Sequence, residues 1–148
     1  MKKLFLVGIF AMLFSAVGFA ADKYSIDRND LPEAAREFLT EYFPKAKVGM
    51  IKVDSHLLKK TDYDVKLVNG TKIEFDNAGR WTEVDCKNQA VPDGIIPKAI
   101  RNYVKKNFDG VKIVKIEKKA TKYEVELSDD VELTFNLLGQ FKSMKLDD

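Results

Sequence analysis

The sequence contains one cysteine and one histidine, and this scarcity excludes several common kinds of site. A lone Cys86 cannot form an internal disulfide, so burial of apolar surface must hold the fold together. A lone His56 cannot build a histidine-rich metal site, and the glycines do not form a phosphate-cradling loop. The spacing of a calcium loop is absent around Asp76 and Asn77. The sequence therefore predicts a protein that is not an enzyme and that has no catalytic residues, metal or cofactor.

The chain also lacks an excess of charge of one sign. It carries 25 basic and 23 acidic residues, and removal of Lys2 and Lys3 with an N-terminal leader would make the mature protein formally neutral. A neutral, evenly mixed charge pattern differs from the basic surfaces that bind nucleic acid or anionic membranes. We therefore expect no nucleic-acid partner.

Residues 1–20 have the pattern of a secretory signal peptide. Two lysines precede an apolar run over residues 4–19, which ends in a small-residue cleavage site. The run is short for a membrane-spanning helix, and a retained anchor is the alternative. We expect cleavage before Ala21, a periplasmic or secreted location, and no integral membrane segment after cleavage.

The rest of the sequence presents one apolar framework twice, in the same order. The helical parts share a proline and an apolar stripe, in which Leu31, Pro32, Ala34, Phe38 and Phe43 correspond to Ile96, Pro97, Ala99, Tyr103 and Phe108. The strand parts share alternating apolar residues and a turn glycine, in which Tyr63, Val65, Leu67, Ile73, Phe75, Gly79 and Trp81 correspond to Tyr123, Val125, Leu127, Leu133, Phe135, Gly139 and Phe141. A shared order of this kind indicates an internal duplication.

Each copy changes from helical to strand periodicity along the chain. After Pro32 and Pro97, apolar residues recur every three or four positions, which predicts an amphipathic helix. They then alternate with charged residues, which predicts antiparallel strands with one covered and one wet face. We therefore predict an α+β fold, a tandem repeat of a helix followed by a four-stranded antiparallel sheet. The predicted segments are a signal peptide (1–20), repeat 1 (21–86), a linker (87–94) and repeat 2 (95–148).

Trp81 and Phe141 are the first candidates for partner binding. Their strand parity is opposite to that of Val84 and Met144, which would place both rings outward as interface anchors. A bulge near each turn glycine would instead turn both rings back into the core. Both alternatives are compatible with the sequence.

Three further candidates for partner binding are Tyr63, Tyr123 and His56. The tyrosines share parity with apolar neighbours, so we expect them at the rim of the core with the hydroxyl reaching water. His56 lies in the loop over residues 54–62, which is longer than its counterpart in the second copy. It is either a solvated loop residue or a group for pH sensing or ligation. Cys86 is either a buried small residue or a free reactive thiol.

This pattern resembles a known family. Leu31-Pro32, the run Tyr63-x-Val65-x-Leu67-x-Asn69-Gly70 and the run Ile73-x-Phe75-Asp76-x-x-Gly79-x-Trp81 are similar to PepSY-like, β-lactamase-inhibitor-like domains. The resemblance covers residues 31–146 as two copies. It implies helix-plus-four-strand units whose sheets form a concave, saddle-like surface, which grips an enzyme in the inhibitors to which such domains are likened. It implies no catalytic residues.

Together these features predict an exported, non-enzymatic binding module. It would hold an extracytoplasmic protein or peptide on its open sheet faces, as a peptidase- or β-lactamase-inhibitor-like domain does. One alternative is a periplasmic carrier with a small-ligand pocket between the repeats. Another is a weak hydrolase that uses His56 as its base.

Overall fold

The computed structural model describes residues 22–55 and 61–146. These ranges form two α-helices, α1 (Glu33–Tyr42) and α2 (Lys98–Asn107), each preceded by a short 3₁₀ turn. They also form nine strands: β1 (Lys23–Ser25), β2 (Val48–Asp54), β3 (Asp62–Leu67), β4 (Lys72–Phe75), β5 (Trp81–Asp85), β6 (Ile113–Lys118), β7 (Lys122–Leu127), β8 (Val131–Asn136) and β9 (Phe141–Leu146). The predicted signal peptide and the candidate His56 lie outside the described residues.

All nine strands form one antiparallel sheet in chain order, from β1 at one edge to β9 at the other. The predicted α+β tandem repeat, in which each helix is followed by its own four-stranded sheet, is therefore wrong. The sheet is continuous because β5 and β6 pair directly, with Val84 opposite Ile116 and Asp85 opposite Lys115. Two smaller sheets would each end in an edge of unpaired backbone groups at this point, and joining them satisfies both edges.

Both helices pack on one face of the sheet and bury its apolar side chains. Helix α1 contributes Ala35 and Leu39 to the core, and α2 contributes Ile100 and Val104. Beneath them, a row of buried cross-strand neighbours runs from β2 to β8: Ile51, Val65, Ile73, Val84, Ile116, Val125 and Leu133. Because this row is uninterrupted at β5 and β6, both helices cover a single core.

Each helix begins directly after a proline, Pro32 for α1 and Pro97 for α2. Proline costs no hydrogen bond at this position, because the first N–H groups of a helix have no partner within it. Each helix also sets an aromatic ring edge-on against a buried phenylalanine of the sheet, with ring centroids 5.4 Å apart: Phe38 on Phe75, and Tyr103 on Phe135. These contacts fix the helices above β4 and β8.

Two tight turns, from β4 to β5 and from β8 to β9, each contain a buried glycine at positive φ. Gly79 has a φ of 81° and Gly139 a φ of 79°. Both lie against the start of a helix: a Cβ on Gly79 would be 2.9 Å from the Ala35 nitrogen, and one on Gly139 would be 2.7 Å from the Ala99 Cβ. The pairing register shifts after each turn, which marks a β-bulge near the start of β5 and of β9.

Candidate functional site

The two bulges determine where Trp81 and Phe141 lie. Trp81 is paired with Phe75 and Phe141 with Phe135, so both rings are on the face that carries the helices. Trp81 is partly buried against the core. Phe141 is 39% exposed and stacks on Tyr103 at a centroid distance of 4.8 Å. A role for either ring in partner binding remains a prediction.

Tyr63 and Tyr123 lie on the same helix-bearing face. Tyr63 is partly buried against the core, and Tyr123 is buried within it. The Lys118 ammonium is 5.8 Å from the centre of the Tyr123 ring, which is within cation–π reach. Cys86 is also buried, and burial raises the pKa of its thiol, which keeps it protonated near neutral pH. The structure thus distributes these side chains along the core and does not gather them into one site.

The opposite, open face of the sheet is charged, and neither helix of the described chain packs on it. Its most regular feature is a line of five half-buried carboxylates. They are direct cross-strand neighbours from β3 to β7: Asp64, Glu74, Glu83, Glu117 and Glu124. We call these five residues the acidic row. The alternation in the sequence predicts a wet face, but the row itself depends on strand register and was missed.

Neighbouring lysines neutralise part of the acidic row. Ion pairs join the two sets at 2.7–3.3 Å: Lys72 with Glu74, Lys115 with Glu83, and both Lys119 and Lys122 with Glu124. The open face is therefore a mosaic of both signs in fixed positions. Such a mosaic can select a partner by charge complementarity.

In the middle of the acidic row, the lysines do not fully offset the repulsion between neighbouring carboxylates. Burial raises the pKa of Glu74, and the nearby carboxylates of Glu83 and Asp64 raise it further. At the end of the row the effect is opposite, because hydrogen bonds from two lysines lower the pKa of Glu124. Like charges directly opposite each other on adjacent strands are destabilising. Repulsion between these carboxylates therefore lowers the stability of the folded protein at the centre of the open face.

We expect Glu74→Gln to raise the free energy of unfolding at neutral pH by up to about 1 kcal/mol, because it removes a charge that faces two other carboxylates. The folded-state pKa of Glu74 is raised. The destabilisation caused by ionised Glu74 should therefore diminish as the pH falls through that pKa towards the unfolded value, and the advantage of the variant should shrink there. Urea unfolding at neutral pH and near pH 4 measures both effects.

Glu124→Gln is the matched control in the same row. Its pKa is lowered in the folded protein, so its stabilisation is present at neutral pH and is lost as the pH falls through the folded pKa. This variant should be less stable than the wild type at neutral pH and match it in acid. The same sign of change for both variants at neutral pH would contradict this account of the row.

A cleft of about 400 Å³ lies between residues 90–96 and the C-terminal half of α2. Its volume falls within the range of small-ligand pockets. Charged side chains of both signs line it: Asp93, Arg101, Lys105, Asp109 and Lys112. The cleft is built from the predicted linker and the second half of the chain, so it does not lie between two repeats.

Two further features of the described ranges bear on the class of protein. No group of three or more histidine, cysteine, aspartate or glutamate side chains in these ranges is placed to hold a metal ion. Neither helix found there has the length and apolar character needed to cross a bilayer.

Comparison with known proteins identifies the family. A family model described as "Putative beta-lactamase-inhibitor-like, PepSY-like" matches residues 61–143, from just before β3 into β9. This match spans more than half of the chain, so the chain belongs to the PepSY-like family. No curated protein matches the sequence.

Three solved structures are similar over most of this chain. A "putative periplasmic protein of unknown function" from Bacteroides vulgatus is 42% identical, with a TM-score of 0.81, and the match covers 84% of this chain and 99% of that one. A "putative calcium-regulated periplasmic protein" from Bacteroides thetaiotaomicron is 40% identical, with a TM-score of 0.79 and coverage of 84% and 96%. A "putative periplasmic protein from DUF2874 family" of Bacteroides vulgatus is 40% identical, with a TM-score of 0.80 and coverage of 86% and 99%. These relatives confirm the predicted periplasmic location.

Proposed function

We propose that this protein is a non-enzymatic periplasmic binding module that holds a protein or peptide on the open face of its sheet, as an inhibitor-like domain does. The observation that carries the proposal is the acidic row with its lysines, which crosses five adjacent strands on a face that no described helix covers. The inhibitor-like description of the family supports it.

The size and electrostatics of the open face suit a protein partner. Nine strands at about 4.8 Å spacing make a surface nearly 40 Å wide, which is enough for a standard interface of roughly 800 Å² per partner. The side chains of the row are half-buried, so less conformational entropy is lost when a partner fixes them. Charges held in this way set specificity and association rate more than raw affinity.

Charge reversal at the centre of the row tests the proposal. We expect Glu83→Lys/Glu117→Lys to abolish capture of a periplasmic partner, identified by mass spectrometry and then assayed as a purified protein. The new lysines would face each other, as the two glutamates do, and would face Glu74 and Glu124 on the flanking strands, so the sheet should fold. Glu33→Lys/Glu37→Lys on exposed positions of α1 makes the same change in net charge away from the open face and should leave capture intact.

Other outcomes have defined meanings in the same experiment. If the open-face variant and the α1 control are both folded and capture the partner equally well, the open face is not the binding surface. Loss of capture only in Trp81→Ala/Phe141→Ala would support the aromatic prediction instead. A rise in melting temperature with a small molecule would favour the carrier alternative and the cleft beside α2. The assay is run with calcium and with a chelator, because one relative is described as calcium-regulated.

A further inference from the structure

Strand β9 forms a long free edge of the sheet. All six of its residues are exposed, and within the described residues only β8 pairs with it. The other edge strand, β1, has three residues. Proteins usually protect such edges by shortness, proline, charge or a covering element, because unpaired N–H and C=O groups bind any available strand. Strand β9 carries no proline and is not short, so charge, from Lys142 and Lys145, is the one of these devices that it has within the described residues.

The apolar layer of the core continues onto β9, beyond the cover of α2. Met144 lies opposite the fully buried Leu133, and Leu146 opposite the buried Val131, yet they are 58% and 72% exposed. Phe141 is the part of this layer that Tyr103 of α2 still reaches. One further strand beside β9 could bury Met144 and Leu146 with its own apolar side chains, which alternate along a strand.

The charges of β9 set the chemistry of the rest of such a strand, with Lys145 opposite Glu132 on the open face and Lys142 at the bulge between Phe141 and Ser143. Residues 141–146 include two lysines, Lys142 and Lys145, and no acidic residue. Among the residues that the structure describes, Lys145 has one ion-pair partner, Glu132 of β8, at 3.4 Å, and its side chain is still 65% exposed. Opposite charges on adjacent strands stabilise a pair, so acidic side chains on the incoming strand would complement these lysines.

A second copy of this chain fits the edge less well. Antiparallel pairing of two β9 strands would place four lysines on two neighbouring strands, with no carboxylate within residues 141–146 of either copy.

We propose that the outer edge of β9 binds an extended strand of a partner protein in which apolar and acidic residues alternate. The main chain of that strand would extend the sheet, its apolar residues would cover Met144 and Leu146, and its acidic residues would pair with the two lysines. This edge lies three strand spacings from β6, so Glu83→Lys/Glu117→Lys at the centre of the open face should leave it intact.

The probe is a capped, fluorescent peptide of about ten residues in which valine and glutamate alternate, and fluorescence anisotropy measures its binding to the full protein. We expect a valine–lysine peptide of the same length to bind at least roughly fivefold more weakly. A valine–glutamate peptide that is N-methylated at every residue should not bind, because neither of its edges can donate a hydrogen bond to the ladder. This comparison needs no variant of the protein.

Charge reversal on β9 provides the test on the protein side. Lys142→Glu/Lys145→Glu should invert the preference, so that the valine–lysine peptide binds more tightly. Lys98→Glu/Lys106→Glu, at exposed positions of α2 outside the cleft, makes the same charge change and should keep the wild-type preference. Equal binding of both peptides, or an unchanged preference in the β9 variant, would overturn the proposal. So would a concentration-dependent dimer that binds neither peptide, which would make a second copy the occupant.

Discussion

Phe135→Ala is expected to lower the free energy of unfolding by about 3–5 kcal/mol, and Trp81 in the other half of the sheet should report the loss. Phe135 is fully buried and lies 5.4 Å from the Tyr103 ring and 6.1 Å from the Phe141 ring, so its truncation leaves a cavity under α2. Trp81 is the single tryptophan and lies on β5, about 14 Å away across three strand spacings. A continuous sheet should unfold as one unit.

Urea unfolding followed by Trp81 fluorescence and by far-UV circular dichroism measures this effect. In the wild type and in Phe135→Ala the two signals should coincide, and the substitution should shift both midpoints together. Phe75→Ala removes the corresponding ring beneath α1 and is the matched control, with a similar expected loss. A biphasic transition in Phe135→Ala, with the Trp81 midpoint unmoved, would show that the two helices stabilise independent units.

Gly139→Ala is expected to cost about 2–5 kcal/mol, from two separable causes. The positive φ of 79° costs an alanine about 1–2 kcal/mol. The new Cβ would also lie 2.7 Å from the Ala99 Cβ, and relieving such an overlap costs about 1–3 kcal/mol. The same reasoning applies to Gly79→Ala, whose Cβ would lie 2.9 Å from the Ala35 nitrogen.

Gly110→Ala separates these two causes. Gly110 has a φ of 73°, but a Cβ there would meet nothing within 4 Å, so only the conformational cost should appear. In an Ala99→Gly background the penalty of Gly139→Ala should fall towards that of Gly110→Ala, because the close contact is gone. Thermal or urea unfolding of the wild type, Gly139→Ala, Ala99→Gly and the double variant gives the coupling free energy between positions 99 and 139. Additive effects at these two positions would rule out the contact as a cause.

The strands could be predicted from the sequence because their signal is local. The alternation of Tyr63, Val65 and Leu67 indicates β3, and Asn69-Gly70 indicates its hairpin with β4. The continuity of the sheet could not be predicted in this way. It depends on pairing between β5 and β6, and the alternation within either strand is the same whether its edge is paired or exposed.

The sequence left the orientation of Trp81 open between two alternatives, and it did not predict the acidic row, for a related reason. Parity arguments assume regular strands, and one extra residue after Gly79 moves the Trp81 ring to the other face. The acidic row depends on register across four strand pairs, including Glu83 with Glu117, which lie on either side of α2 in the sequence. The turn glycines Gly79 and Gly139 were the available signal for the bulges, but nothing in the sequence indicated the row.

Because the nine strands follow chain order, the described chain starts and finishes at opposite edges of the sheet. Lys23 on β1 and Leu146 on β9 are separated by eight strand spacings, or about 38 Å in a flat sheet. An affinity tag or sensor surface attached before β1 would leave the last strand accessible to solvent. The same attachment placed after Leu146 would obstruct access to β9. The end chosen for immobilisation therefore determines whether a binding assay can detect a partner that adds a strand to this sheet.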